Sequence, residues 1–145
     1  MNKKTVVALV LGGWLALGLP ASAHHGAPAL YDVQNPITIK GTVTEFVWAN
    51  PHCQIYLDVK NEKGEVVHWA IESNAPGQLG RAGWTRRTLK PGDQISVTLI
   101  PARSGEPVGF SGHALGGGKI VLANGQTLTT QEKSEFQSSV PTSAR

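Results

Sequence analysis

The sequence predicts an all-β protein, a small OB-like barrel of five strands with one short helix between the third and fourth strands and a C-terminal hairpin. Apolar and polar residues alternate with period two through much of residues 37–130, and turn signals rich in Gly, Pro, Asn and Asp separate the alternating segments. A helix-start signal falls between the third and fourth segments, which matches the OB topology. An open β-sandwich is the alternative, and absence of that helix would remove the main reason to prefer the OB topology.

The first two strands carry the clearest alternation. The first begins at Ile37, and its phase changes after Glu45, which predicts a β-bulge or a tight coil of the kind that a closing barrel needs; Gly41 offers a bend site. After a turn at Asn50-Pro51, the second strand covers residues 53–59. Its apolar face contains the lone cysteine, Cys53, which is therefore predicted to be a small buried hydrophobe. The opposite face holds His52, Gln54, Tyr56 and Asp58.

The later elements follow from turn and cap signals. The third strand spans residues 66–73 and places His68 and Glu72 on its outward face. Asn74 is the predicted N-cap of the short helix, and Gly83 is its predicted end. The fourth strand covers residues 94–100, the fifth covers about residues 108–115, and an Asn-Gly pair predicts a hairpin across residues 119–128.

The first 23 residues have the pattern of a cleaved signal peptide. Two lysines precede an apolar run at residues 6–19, and Ala21-Ser22-Ala23 supplies the small residues of a cleavage site. An uncleaved membrane anchor is the alternative. After cleavage we expect a periplasmic protein without a stable membrane anchor. Its extended lead segment would cover residues 24–36, the barrel domain residues 37–130 and a disordered polar tail residues 131–145.

Charge and composition exclude several classes of function. The formal net charge of +3 falls to +1 when the two lysines of the signal peptide are removed, so a nucleic-acid partner is not expected. The single cysteine excludes an intrachain disulfide and any multi-cysteine metal site. No set of nucleophile, base and orienting group is visible in the sequence, so the chain is predicted not to be an enzyme.

Several short motifs are distinctive in combination: Ala23-His24-His25, Tyr31-Asp32, Gly41-Thr42-Val43-Thr44, Trp48-Ala49-Asn50-Pro51-His52, Trp69, Glu72, Gly83-Trp84 and Leu89-Lys90-Pro91-Gly92-Asp93. With these motifs the chain resembles the small exported bacterial proteins grouped as domain of unknown function family 6152. Members usually continue the histidine pair with Ser-Phe, whereas this chain has Gly26-Ala27. The resemblance implies a small β-barrel and export, and it implies no established activity.

The histidine pair at the predicted cleavage site is the first candidate for chemistry. Cleavage after Ala23 would make His24 the N-terminus, with an α-amine whose reference pKa is about 7.7–8.0. That amine and the imidazole of His24 can chelate one ion together. Alternatively, His25 chelates it through its imidazole, the amine and a deprotonated amide, and nitrogen ligands of this kind suit Cu(II) best. His52 adds a third donor if the N-terminus folds back onto the barrel. The simpler alternative is that the pair lies in solvent and His52 caps a turn.

The second hypothesis is a metal-independent adaptor or ligand-binding OB-like module. It would recognise a periplasmic protein or a small ligand through the outward faces of the second and third strands. The candidate contact residues are Tyr56, His68 and Glu72, together with Arg86 and Arg87 on a basic edge near the helix. The simpler alternatives have no binding role: His68 is an exposed strand residue, and the arginines form a solvated edge. Unlike metal chelation, such binding would survive loss of both N-terminal histidines.

Overall fold

The structure is a computed structural model, and it describes residues 27–112 and 118–131. Strands predominate in both parts of the chain. The helices of these parts are α1 (Ala27–Leu30) and α2 (Pro76–Arg81). Their strands are β1 (Ile37–Val47), β2 (Gln54–Lys60), β3 (Val66–Glu72), β4 (Gln94–Pro101), β5 (Val108–Phe110), β6 (Lys119–Leu122) and β7 (Thr127–Thr129).

Five strands close into a barrel because β1 is long enough to pair with two neighbours. Its first half pairs with β4 and its second half pairs with β2, both antiparallel. The hairpin of β2 and β3 continues into a parallel pairing of β3 with β5, and β5 pairs with β4 to complete the circle. Helix α2 lies between β3 and β4 in the chain. The predicted OB-like barrel is therefore confirmed, and the open sandwich is not observed.

The curvature of β1 has two local causes. The register with β2 shifts between Val43 and Glu45, so Thr44 is an extra residue, and the predicted bulge is confirmed. At Gly41, an added Cβ would lie 2.6 Å from the carbonyl oxygen of Asp58. The backbones of β1 and β2 approach so closely at this point that only glycine fits without a shift.

The core is formed by the inward residues that the alternation predicts. Cys53, Ile55 and Leu57 are buried along the second strand segment, and Ile95, Val97 and Leu99 are buried along β4. Burial raises the pKa of the Cys53 thiol, as expected for a cysteine that packs as a hydrophobe. Helix α2 contributes Leu79, and the buried Trp84 after it donates from Nε1 to the carbonyl oxygen of Thr129 at 2.8 Å.

Two local predictions are wrong. Ala75, rather than Asn74, is the N-cap of α2, because the buried side chain of Asn74 instead donates to the carbonyl oxygen of Thr130 at 3.0 Å. The fifth strand ends at Phe110, well before the predicted residue 115. The terminal hairpin is confirmed: β6 pairs with β7 and with β4, and Gly125 in the turn has a φ of 83°.

Several predictions fall outside the described residues. These are the signal peptide, both N-terminal histidines, His24 and His25, and the polar tail after Gln131. Within the described ranges, no helix combines the length and the apolar character needed to cross a membrane.

Candidate functional site

The barrel end at which β2 begins and β3 ends brings together two residues that the sequence analysis selected. His52 lies two residues before β2, Glu72 is the last residue of β3, and Glu72 faces Gln54 across the hairpin. The Nδ1 atom of His52 contacts Oε1 of Glu72. The side chains of His52 and Glu72 are 46% and 29% exposed, so both remain accessible from solvent. We refer to His52 and Glu72 as the barrel-end pair.

The contact between the two side chains leaves one nitrogen of His52 available. When Nδ1–H donates to a carboxylate, the neutral imidazole keeps the lone pair of Nε2 for another partner. Metal-binding histidines commonly have this arrangement, in which a carboxylate orients the ring and raises its basicity. The chemistry that the barrel-end pair suits best is therefore binding of a metal ion at Nε2.

The lead segment reaches the same end of the barrel. Tyr31 forms an isolated bridge with Ala102, and its ring centroid lies 6.1 Å from that of Phe110. Phe110 is in turn the register partner of Glu72 in the parallel pairing of β3 with β5. Burial raises the pKa of Tyr31, and the negative charge of Glu72 raises it further. The contact with Phe110 therefore places Tyr31 beside the strand end that carries Glu72.

Tyr31 is not among the site residues that the sequence predicts. The only available signal was its place in the Tyr31-Asp32 motif, because the segment around it has no apolar periodicity. The position of Tyr31 depends on contacts with Ala102 and Phe110, which are distant in sequence.

A second pair of the same chemistry lies on the outward face of the β2–β3 hairpin. Nδ1 of His68 lies 2.6 Å from Oδ1 of Asp58, and the side chain of His68 is 81% exposed. His68 precedes Glu72 by four residues on β3, a separation of about 13 Å along a strand. No hydrogen bond or ring contact from the described part of the lead segment reaches this pair.

Tyr56 lies on the same outward face, beside a shallow groove. Its register partners are Glu45 on β1 and Ala70 on β3, and the groove has a volume of about 390 Å³. The bulge residue Thr44 lines the groove together with Tyr56 and His68. The predicted ligand-binding residues are thus only partly brought together, since Glu72 belongs to the barrel end.

Arg86 and Arg87 lie elsewhere, in the exposed turn between α2 and β4. Within the described residues, no hydrogen bond or ion pair joins either side chain to the two His–carboxylate pairs. The described ranges also contain no group of three or more His, Cys, Asp or Glu side chains placed to hold a metal ion. The barrel end by itself supplies one imidazole and one carboxylate.

A family model matches residues 13–111, and its description is a family of unknown function, DUF6152. The chain belongs to this family. The DUF6152 match confirms the resemblance that the motifs indicate. It includes the lead segment, both His–carboxylate pairs and β5, and it ends before β6. No curated protein sequence matches the chain.

Proposed function

We propose that the protein is an exported periplasmic binding protein that holds one transition-metal ion, Cu(II), at the barrel end. The ligands are Nε2 of His52 and the nitrogen donors of His24 and His25 at the N-terminus of the mature chain. The observation that supports the proposal is the contact between Nδ1 of His52 and Glu72, because it leaves Nε2 free and holds the ring in one orientation. The lead segment supports it too, because Tyr31 brings the chain that follows the two histidines to this end.

The donor set favours Cu(II) over other ions. Imidazole and amine nitrogens bind divalent first-row metals in an order that peaks at copper, whereas thiolates are needed for sites that select Cu(I). The one thiol of the chain, that of Cys53, is fully buried in the core and takes no part. Because protons compete for every nitrogen donor, affinity decreases as the pH falls.

Binding without catalysis is part of the proposal. Within the described residues, the imidazole of His52 contacts a carboxylate, and it has no hydrogen bond to a Ser, Thr or Cys side chain that it could activate.

A metal-independent ligand-binding role is the second candidate, and the groove beside Tyr56 is the observation that favours it. Tyr56 is 36% exposed at the centre of a sheet face, next to the small side chain of Ala70. A small ligand or another periplasmic protein would occupy this groove. Its binding would require Tyr56 and would not require a metal ion or His24 and His25.

The experiment that tests the copper proposal is a Cu(II) titration of mature protein that begins at His24. Calorimetry and visible absorption measure the binding. Two variants probe the site: His52→Ala, and a form with one extra residue before His24. His68→Ala is the matched control, since it removes an imidazole that is also bonded to a carboxylate on the same hairpin.

We expect at least a tenfold loss of Cu(II) affinity in both site variants and none in the control. Histidines at a free N-terminus bind copper even without a barrel, so the decisive comparison is between His52→Ala and His68→Ala. Equal affinity of these two variants would refute a site that includes His52. The intact mass of the exported protein provides a separate check, because a mature chain that does not begin at His24 removes the terminal chelate.

A further inference from the structure

A polar cleft with a volume of about 530 Å³ lies on the outer face of the barrel, where β1 changes its neighbouring strand. The change occurs at Thr42, which faces Asp58 on β2 and Gln94 on β4. Lys40 and Lys60 line the cleft together with these three residues. Its volume falls within the range of about 300–1,000 Å³ that is typical of small-molecule sites. The cleft is therefore large enough to hold a small ligand.

The two lysines place like charges at facing positions of β1 and β2. Thr42 and Asp58 are the last register partners of these strands, and continuing their register by two residues places Lys40 opposite Lys60 on the same face. Like charges at such positions repel each other. Within the described residues, neither ammonium group has an ion pair or a hydrogen bond that would relieve this repulsion. A bound anion would offset it.

The remaining polar groups of the cleft also suit an anion. Nε2 of Gln94 donates to Oγ1 of Thr42 at 2.6 Å, so the hydroxyl hydrogen of Thr42 is available to a further acceptor. Asp58 is the one carboxylate among the lining residues, and its Oδ1 lies 2.6 Å from Nδ1 of His68. With Lys40 and Lys60 against Asp58, the lining residues carry a net charge of +1.

We propose that this cleft binds the phosphate group of a small phosphate ester, which Lys40 and Lys60 hold from two sides. A phosphate ester has nearly two negative charges at pH 7 and three acceptor oxygens, one for each lysine and one for the Thr42 hydroxyl. The register partner of Lys60 on β3, Val66, also lines the cleft and is 50% exposed. It offers an apolar contact to the organic part of the ester.

The phosphate site is separate from both sites considered above. Neither His52 nor Glu72 lines the cleft, and along β2 it lies on the other side of Asp58 from Tyr56. The competing explanation is that the two lysines are solvated surface charges, which attract anions no better than any other exposed lysine.

The test is a titration of mature protein without added metal, followed by nuclear magnetic resonance of the backbone amides. The probes are phenyl phosphate, inorganic phosphate and benzyl alcohol, which carries the ring without the charge. Lys40→Gln and Lys60→Gln each remove one ammonium group from the cleft. Lys119→Gln is the matched control, because Lys119 is an exposed strand lysine that does not line the cleft. Thermal unfolding checks that every variant is folded.

We expect phenyl phosphate to shift the amide signals of Gly41, Thr42 and Asp58 and to bind at least about threefold more tightly than inorganic phosphate. Benzyl alcohol should leave these signals unchanged. Each cleft lysine variant should lose about threefold in affinity for phenyl phosphate, and the control should lose none. Signals that move elsewhere, or a loss in Lys119→Gln equal to that in Lys40→Gln, overturn the proposal. Equal affinities for the two phosphates refute an ester as the ligand.

A variant with the opposite expected effect separates binding from a structural role. Asp58→Asn removes the one negative charge that lines the cleft, so it should raise the affinity for phenyl phosphate by about twofold or more. Damage to the cleft would instead lower the affinity in this variant as in the lysine variants. A folded Asp58→Asn protein that binds phenyl phosphate no better than the unmodified protein contradicts the electrostatic site.

Discussion

The substitution Glu72→Gln isolates the part that the carboxylate plays at the barrel end. Glutamine keeps the size of the side chain and one oxygen acceptor, but it removes the charge that holds Nδ1 of His52. Removing an outer partner of a metal-binding histidine typically lowers metal affinity by about 10- to 100-fold. Because His52 and Glu72 are both partly exposed, at 46% and 29%, solvent weakens their interaction. We therefore expect a loss of Cu(II) affinity at the lower end of this range, about tenfold, which corresponds to about 1.4 kcal/mol of binding free energy.

The matched control is Asp58→Asn, which makes the same change in the pair with His68. Both variants are titrated with Cu(II) near neutral pH in competition with a chelator of known affinity, and thermal unfolding checks that each is folded. Only Glu72→Gln should weaken binding. The reasoning fails if the two variants behave alike, or if Glu72→Gln binds normally while His52→Ala does not.

Three further predictions concern the barrel itself. Gly41→Ala should destabilise by about 1–3 kcal/mol in thermal unfolding because its Cβ would meet a β2 carbonyl oxygen at 2.6 Å, whereas Gly80→Ala, with nothing within 4 Å, should be neutral or stabilising. Cys53 should react with thiol reagents only as the protein unfolds, since it is fully buried and its pKa is raised; rapid labelling of folded protein would contradict this. Hydrogen bonds from Lys90 lower the pKa of Asp93, so this carboxylate stabilises the fold above its unfolded pKa, and the contribution is lost as the pH falls through the lowered folded value. Asp93→Asn should therefore lower the free energy of unfolding at neutral pH and have little effect on it in acid. Chemical unfolding at the two pH values measures this difference.

The barrel and the placement of His52 and Glu72 at the same end of the β2–β3 hairpin could be predicted because both follow from local pattern. Period-two alternation fixes which side chains point inward, and the turn between β2 and β3 fixes the register that places Gln54 opposite Glu72. The phase change near Glu45 predicts the bulge for the same reason, since an extra residue reverses the faces that follow it.

The features that could not be predicted depend on contacts between distant parts of the chain. Asn74 has the residue type of an N-cap, but its amide is buried against Thr130, and that tertiary contact outweighs the local preference. The attachment of Tyr31 arises in the same way, because it requires Ala102 and Phe110, which follow it by more than seventy residues. Nothing within the lead segment indicates where it docks.

The two His–carboxylate pairs have the same chemistry, so their surroundings must decide which of them belongs to the proposed copper site. An imidazole with one carboxylate partner supplies a single free donor, and tight binding requires further ligands from nearby. Tyr31 attaches the lead segment beside Glu72, and the proposed copper site takes its further nitrogen donors from the residues that precede this segment. The pair at His68 lies about 13 Å further along the sheet, so reaching it requires a longer span of chain. The location of the attachment, rather than the histidine itself, is what favours His52.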